Sequence, residues 1–228
     1  MLFRSIVLVT GVPETYGGIG VLPVAAFLGA IGAVLLACGV ARGSEGLPLT
    51  TLILAGVAVA ALAGAMTTLL MIQNDPALRP VLSWLLGGFA SAQWKHSAVV
   101  LVYLVPSAIV MLSYGRVLNV LQLDEAFSTQ LGVDVDRAKL MLIGAASLAT
   151  AVAVAFSGLI GFVGLIAPHA VRLLWGPDHR SLIPMAAIVG AGFLILADLV
   201  ARTVVSPSDL PVGIVTAFVG APFFLYLL

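Results

Sequence analysis

Residues 121–141 read LQLDEAFSTQLGVDVDRAKLM and concentrate charge in a chain that otherwise avoids it. Over the whole chain, 61% of the residues are hydrophobic and 9% are charged. Because charged side chains are costly inside a bilayer, we interpret this segment as a contact surface outside a membrane. It holds six of the twenty acidic and basic side chains: Asp124, Glu125, Asp134, Asp136, Arg137 and Lys139.

The remaining composition is that of a membrane protein, with a mean hydropathy of +1.19 over 228 residues. Several apolar runs reach about 20 residues, the helical length that crosses a hydrocarbon core of about 30 Å. The 24 glycines are expected where membrane helices approach each other closely. Runs such as 145–155 do not alternate as transmembrane strands would. The sequence therefore predicts an all-α, polytopic membrane helix bundle.

Polar breaks divide the chain into about seven predicted spans. A short helix at the membrane surface is expected between the second and third spans, with Trp84 and Trp94 at the interface. Gly158, Gly161 and Gly164 are expected to make a bend or a very close approach. The predicted spans are 21–41, 48–72, 97–114, 138–156, 157–175, 181–203 and 211–228.

The distribution of basic residues predicts the orientation, because cytoplasmic loops carry an excess of Lys and Arg. Three basic residues, Arg79, Lys95 and Arg202, fall on one side of the predicted membrane. A larger set falls on the side of residues 121–141, which together with the C-terminus is therefore predicted to be cytoplasmic. That set is Arg42, Arg116, Arg137, Lys139, Arg172 and Arg180.

Within the charged segment, local signals predict a short amphipathic helix followed by a spanning one. Leu123, Phe127 and Leu131 recur every four residues and form an apolar stripe beside polar neighbours. Gly132 is expected to stop this helix, and Asp134 is expected to cap the start of the next.

Two ridges of small residues lie on predicted spans, each with a spacing of four. Such ridges let two helices approach closely, so plain helix packing is the simplest interpretation. The first ridge is Gly56, Ala60 and Gly64, and the second is Gly213, Ala217 and Ala221.

The sequence contains little that supports an enzymatic function. Lys95 and Lys139 are the only lysines and neither follows a glycine, so the sequence lacks a Walker A phosphate loop. The three histidines are scattered, Cys38 is the single cysteine, and no Gly-x-Ser-x-Gly elbow is present. Equal numbers of acidic and basic residues leave no basic field for nucleic acid. We therefore expect no catalytic residues, cofactor or metal site, and no ATP hydrolysis by this chain.

One ionisable side chain falls clearly within a predicted span. Asp198 lies four residues before Arg202, so the two can form an ion pair on one helix face. Ionisable groups inside membrane spans are often functional. His169 and Arg172 are instead expected to reach the cytoplasmic interface as structural residues.

Three blocks of the sequence closely resemble the FecCD-type permeases of ATP-binding-cassette (ABC) importers for ferric siderophores, haem and cobalamin. The blocks are LGVDVDRAKLM, SGLIGFVGLIAPHAVRLLWGPDHRSLIP and ADLVARTVVSPSDLPVGIVTAFVGAPFFLYLL. Upstream, WLLGGFASAQW and LILAGVAVAAL are similar to the same family, so the resemblance covers residues 22–228.

The resemblance implies a multi-pass permease of the cytoplasmic membrane that works as a homodimer in contact with membrane lipid. Each copy would rest on a cytoplasmic ABC ATPase subunit, and an extracytoplasmic substrate-binding protein would deliver the ligand. A coupling segment at 121–137 would contact the ATPase, and Arg202 would pair with a glutamate of the binding protein. The helices that carry the two ridges would line a central pathway between the copies. The implied coupling residues are Leu123, Asp124, Glu125, Phe127, Gln130, Leu131 and Gly132.

The family fold resembles a ten-helix bundle, whereas this chain is expected to begin inside the third helix as a single, N-terminally truncated permease domain at 1–228. Two alternatives remain open at this point. Asp198 alone would suit a secondary carrier, and the missing first helices would suit a membrane scaffold or fragment that does not transport. No residue distinguishes siderophore, haem and cobalamin as the ligand.

Overall fold

The computed structural model describes residues 15–16, 19–42, 49–73, 82, 84–90, 92–122, 125–205 and 209–227. For residues 15–16, 19–23, 49, 73 and 125–127 it describes the backbone alone. These parts of the chain are almost entirely helical, which confirms the all-α class. A two-residue antiparallel pair, β1 (Thr15–Tyr16) with β2 (Ile19–Gly20), precedes the first described helix.

The described helices follow one another with short connections. They are α1 (Val21–Ala41), α2 (Leu49–Gln73), α3 (Trp94–Ser113), α4 (Gly115–Leu121), α5 (Glu125–Gln130), α6 (Val135–Ser157), α7 (Val163–Trp175), α8 (His179–Thr203) and α9 (Val212–Leu227).

Five of the described helices, α1, α2, α3, α6 and α8, are long and apolar enough to cross a membrane. These helices carry large exposed apolar side chains such as Leu54, Leu101 and Ile195, as a hydrocarbon environment requires. The chain is accordingly a multi-pass membrane protein. Helices α7 and α9 have 13 and 16 residues, fewer than the about 20 that a perpendicular span needs, so the predicted count of seven is not confirmed.

The predicted span 157–175 is shortened at its start. Gly158 and Phe162 have positive φ angles of 70° and 66°, and residues 158–162 are not helical. A Cβ atom at Gly158 would collide with the carbonyl oxygen of Trp84, which is the close approach that the glycines predicted. Gly161 and Gly164 have open space at the Cβ position, so this role belongs to Gly158 alone.

The chain forms two compact units, 1–82 with 146–156 and 83–145 with 157–228. In the first unit, α1 packs on α2 through the small side chains of Ala37, Ala41 and Ala55. In the second unit, α8 packs against α7, α9 and α4, and its core includes Ala197, Ala201 and Val212. Small side chains at these contacts bring the helix backbones close together, as is usual in membrane bundles. The single permease domain at 1–228 stays a prediction.

Candidate coupling and docking sites

The charged segment forms the predicted short helix, α5, between α4 and α6. Ser128 is fully buried, and its hydroxyl donates a hydrogen bond to the backbone carbonyl of Val120 at 3.1 Å. Val120 lies in the last turn of α4, and its carbonyl group also accepts from the backbone amide of Gln122, the residue that follows the helix. Ser128 therefore anchors α5 to the end of α4.

Gly132 ends α5 as the sequence predicts. Its φ of +81° is in the left-handed region that glycine adopts at little cost. The amide of Gly132 donates to the carbonyl of Thr129 at 3.0 Å, and the amide of Val133 donates to that of Ser128 at 3.2 Å. These bonds satisfy the final carbonyls of the helix and fix a tight turn.

Asp134 caps α6, as expected. Its carboxylate accepts a hydrogen bond from the backbone amide of Arg137 at 3.1 Å and forms an ion pair with the Arg137 side chain at 3.0 Å. The Arg137 side chain is 85% exposed, so the pair lies on the surface and contributes little to stability.

The predicted coupling residues therefore divide into three groups. Gln130, Leu131 and Gly132 are exposed at the C-terminal end of α5. Glu125 and Phe127 lie in α5, where the structure describes the backbone alone. Leu123 and Asp124 lie outside the described residues.

A polar cluster that was not predicted from sequence joins α4 to the start of α8. The Asp178 carboxylate accepts hydrogen bonds from the backbone amide of Arg180 at 3.0 Å and from Nδ2 of Asn119 at 2.6 Å. The pKa of Asp178 is lowered, first by the Arg180 amide and then by Asn119, because both donors favour the charged carboxylate. The capping position of Asp178, directly before an apolar run, was a usable signal for one half of this cluster.

Asn119 also contacts His179 through its other amide atom. Its Oδ1 accepts from the backbone amide of His179 at 2.8 Å and lies 2.9 Å from the ring Nδ1. Since Nδ2 of Asn119 donates to the Asp178 carboxylate, Oδ1 is the amide atom that faces the His179 ring. Asn119 therefore binds two consecutive residues at the beginning of α8.

The opposite end of α8 carries the ion pair predicted from its spacing. Nε of Arg202 donates to Oδ2 of Asp198 at 2.8 Å. The Arg202 side chain is 47% exposed and that of Asp198 26% exposed. Arg202 is thus both held in place by Asp198 and accessible to a partner.

The ridge on α2 is not part of the contact that the described residues make between α1 and α2. The contact between α1 and α2 passes through Ala55, with Leu52 and Val59 beside it. A Cβ atom at Gly56 or Gly64 would have no other atom within 4 Å, and Ala60 is exposed. No described residue of the first unit therefore packs closely on this ridge.

The ridge on α9 has two parts with different surroundings. The amide of Gly213 donates to the carbonyl of Leu86 at 3.1 Å, and a Cβ atom there would collide with the same carbonyl. Ala217 and Ala221 instead line an apolar cavity of about 530 Å³. Its walls are completed by Leu85, Leu86, Leu159, Gly213, Ile214, Phe218, Pro222 and Leu225.

His169 differs from its expected position. Its Nε2 atom is buried without a hydrogen-bond partner, and its ring meets that of Phe223 edge-on at a centroid distance of 6.0 Å. The expectation that His169 reaches the interface is therefore wrong, because this close contact with α9 holds the ring inside the helix pair. Arg172, three residues later, is exposed in the last turn of α7.

Among the residues that the structure describes, no three His, Cys, Asp or Glu side chains are grouped so that they could hold a metal ion. The cavity on α9 is lined by apolar residues and small alanines.

Comparison with known proteins agrees with the geometry. The family model of the FecCD transport family matches residues 1–228. The chain is 48% identical over 210 residues to the cobalamin import system permease protein BtuC of Halobacterium salinarum, covering 92% of this chain and 56% of that protein. It is 41% identical over 206 residues to the hemin transport system permease protein HmuU of Yersinia pestis, covering 90% and 61%.

A solved structure described as a metal-chelate type ABC transporter in an inward-facing conformation aligns with a TM-score of 0.89 at 33% identity. The alignment covers all of this chain and 72% of that one. The chain spans about 56 to 61% of the length of the two permeases above. The family match and the structural alignment both cover the full chain. The protein therefore belongs to the FecCD transport family.

Proposed function

We propose that this chain is the transmembrane permease subunit of an ABC importer that moves an iron complex, either a ferric siderophore or haem, or cobalamin, across the cytoplasmic membrane. The energy would come from a separate ATPase subunit. The observation that carries the proposal is the whole-chain match to the family, together with a rigid short helix, α5, at the predicted cytoplasmic side.

The names of the relatives support the ligand class. One is a cobalamin import permease, one a hemin transport permease, and the solved structure is of the metal-chelate type. These ligands are all bulky metal complexes, so a pathway for them needs small side chains along its walls to leave room. The ridge on α2 and the apolar cavity on α9 are consistent with this need.

The role of α5 in the proposal is to receive the movement of the ATPase. A short helix can transmit force when it is clamped at both ends, and a flexible loop cannot. Ser128 anchors α5 to α4, and Gly132 turns the chain directly into α6. Residues 123–132 with the cap at Asp134 would form the contact surface within the coupling segment 121–137.

The role of Arg202 is to dock the substrate-binding protein on the outer side. Its guanidinium group donates to Asp198 through Nε, and its terminal nitrogen atoms have no hydrogen-bond partner among the described residues, so they are available to a carboxylate of the partner. The second permease copy of the proposed homodimer would complete the pathway beside the two ridges.

The proposal is tested by uptake into proteoliposomes that contain the permease complex and are loaded with ATP. Labelled cobalamin, haem and a ferric siderophore are supplied outside with the binding protein, and ADP-loaded vesicles are the control. The proposal expects ATP-dependent uptake of at least one of the three. Uptake that continues without the ATPase and follows an ion gradient would instead support a secondary carrier.

A further inference from the structure

The hydrogen bonds of Asn119 with Asp178 and His179, which we term the α4–α8 clasp, have no role in the proposed function. Beside the clasp, Nε2 of Gln122, the residue directly after α4, lies 3.0 Å from Nδ1 of His179. The clasp joins residues 59 and 60 positions apart in sequence. It uses both polar atoms of one amide, so its geometry is fixed in two directions.

The clasp is reinforced by a close approach of backbones. Gly115, at the start of α4, is buried, and a Cβ atom there would lie 3.4 Å from Cα of Arg180. A Cβ atom at this distance would be in van der Waals contact with Arg180, so α4 lies directly against the first turn of α8. The Asp178 side chain also caps α8 by accepting a hydrogen bond from the Arg180 amide, so Asp178 is fixed to the first turn of that helix.

The other end of α4 is bound to α5. Buried Ser128 donates to the carbonyl of Val120, one residue after Asn119. The chain of rigid parts thus runs from α5 through α4 into α8. Helix α8 has 25 residues and is about 37 Å long at 1.5 Å per residue. Its far end carries Asp198 and Arg202.

We propose that Asn119 is a positioning residue for energy coupling: the α4–α8 clasp holds α5 in register with α8, so that movement of α5 is passed to α8. This inference rests on the proposed function, in which α5 meets the ATPase and the far end of α8 meets the binding protein. Without the clasp, α5 would move with α4 while α8 stayed in place.

The test uses an exchange of side chains. Asn119→Asp places two carboxylates at the distance of the present hydrogen bond, where both cannot remain charged without strong repulsion. Adding Asp178→Asn restores the pair, because the new amide at position 178 can donate to the carboxylate at 119 and still accept from the Arg180 amide. Ser113→Ala is the matched control, since the exposed Ser113 hydroxyl bonds within its own helix only, to the carbonyl of Ile109.

The first measurement is amide hydrogen exchange at Gly132 and Val133, whose bonds close α5. Asn119→Asp should raise their exchange rates about tenfold, the factor that corresponds to the loss of one charge-assisted hydrogen bond. The double variant with Asn119→Asp and Asp178→Asn should restore the hydrogen-exchange rates of the parent, and Ser113→Ala should leave these rates unchanged. Unchanged rates in Asn119→Asp would overturn the inference whether or not the chain transports.

The second measurement is the number of ligand molecules imported per ATP hydrolysed by the assembled complex. Asn119→Asp should lower this ratio about tenfold while the ATPase stays bound. The double variant with Asn119→Asp and Asp178→Asn should return the ratio to that of the parent. A ratio equal to that of the parent would contradict the coupling role. If the parent complex imports nothing while the exchange data follow expectation, the proposed function fails and the positioning of α5 by the clasp stands.

Discussion

Gly132 is a position at which the backbone conformation restricts the choice of residue. We predict that Gly132→Ala destabilises the end of α5, because an L-residue in the left-handed region costs about 1–2 kcal/mol. Steric collision does not contribute, since a Cβ atom at Gly132 would have no atom within 4 Å. The whole effect should therefore come from its φ of +81°.

A cost of 1–2 kcal/mol corresponds to an increase of about 5–30-fold in the population of the opened turn. Exchange of the Val133 amide, which is bonded to the carbonyl of Ser128, reports this opening. Gly132→Asn should lie between parent and Gly132→Ala, because Asn is among the residues that tolerate the left-handed region best. In the reconstituted complex, Gly132→Ala should also lower uptake more than ATP hydrolysis.

Gly144 provides the matched control. It lies in α6, and a Cβ atom there also has open space. Because alanine is favoured over glycine by about 0.5–1 kcal/mol within a helix, Gly144→Ala should be neutral or stabilising. Equal exchange of the Val133 amide in Gly132→Ala and Gly144→Ala would refute the reasoning.

Three further predictions concern other parts of the chain. Arg202→Glu should weaken binding of the substrate-binding protein, and the difference from the parent should shrink as salt rises, because exposed charges are screened over about 8 Å at physiological ionic strength; equal affinities would remove Arg202 from the docking surface. Gly220→Ala should lower thermal stability by about 1–3 kcal/mol, because its Cβ atom would collide with the Phe162 ring, whereas Gly192→Ala, with open space, should not. Asp178→Asn should lower the melting temperature at neutral pH. Since the folded-state pKa of Asp178 is depressed below 3.8, this difference should be complete above about pH 4 and fade as the pH falls through the folded pKa; a constant difference would contradict the lowered pKa.

Local rules were sufficient wherever the deciding residues are neighbours in sequence. Gly132 and Asp134 fixed the boundary between α5 and α6, because a helix stop and a cap each depend on a few adjacent residues. The spacing of Asp198 and Arg202 predicted their ion pair for the same reason. The apolar runs predicted the five long helices to within a few residues at each end.

Contacts between distant segments could not be predicted in this way. Asn119 reads as an ordinary polar residue after a span, and its partners lie about 60 positions later, so neither α4 nor the clasp was expected. The start of α7 was misplaced because Phe162 adopts a positive φ that a bulky residue rarely takes. Its ring lies against Gly220 on α9, a packing contact that no local pattern reveals.

The central claim is that a separate ATPase acts on this chain through α5. The most direct measurement is photocrosslinking in membranes that contain the chain, the ATPase and the binding protein, with a photoreactive amino acid at position 130. A second variant carries it at position 204, since Gln130 is exposed at the end of α5 and Val204 is exposed just after α8. The account predicts a crosslink to the ATPase from position 130 and none from position 204. A crosslink to the ATPase from position 204 alone would contradict it.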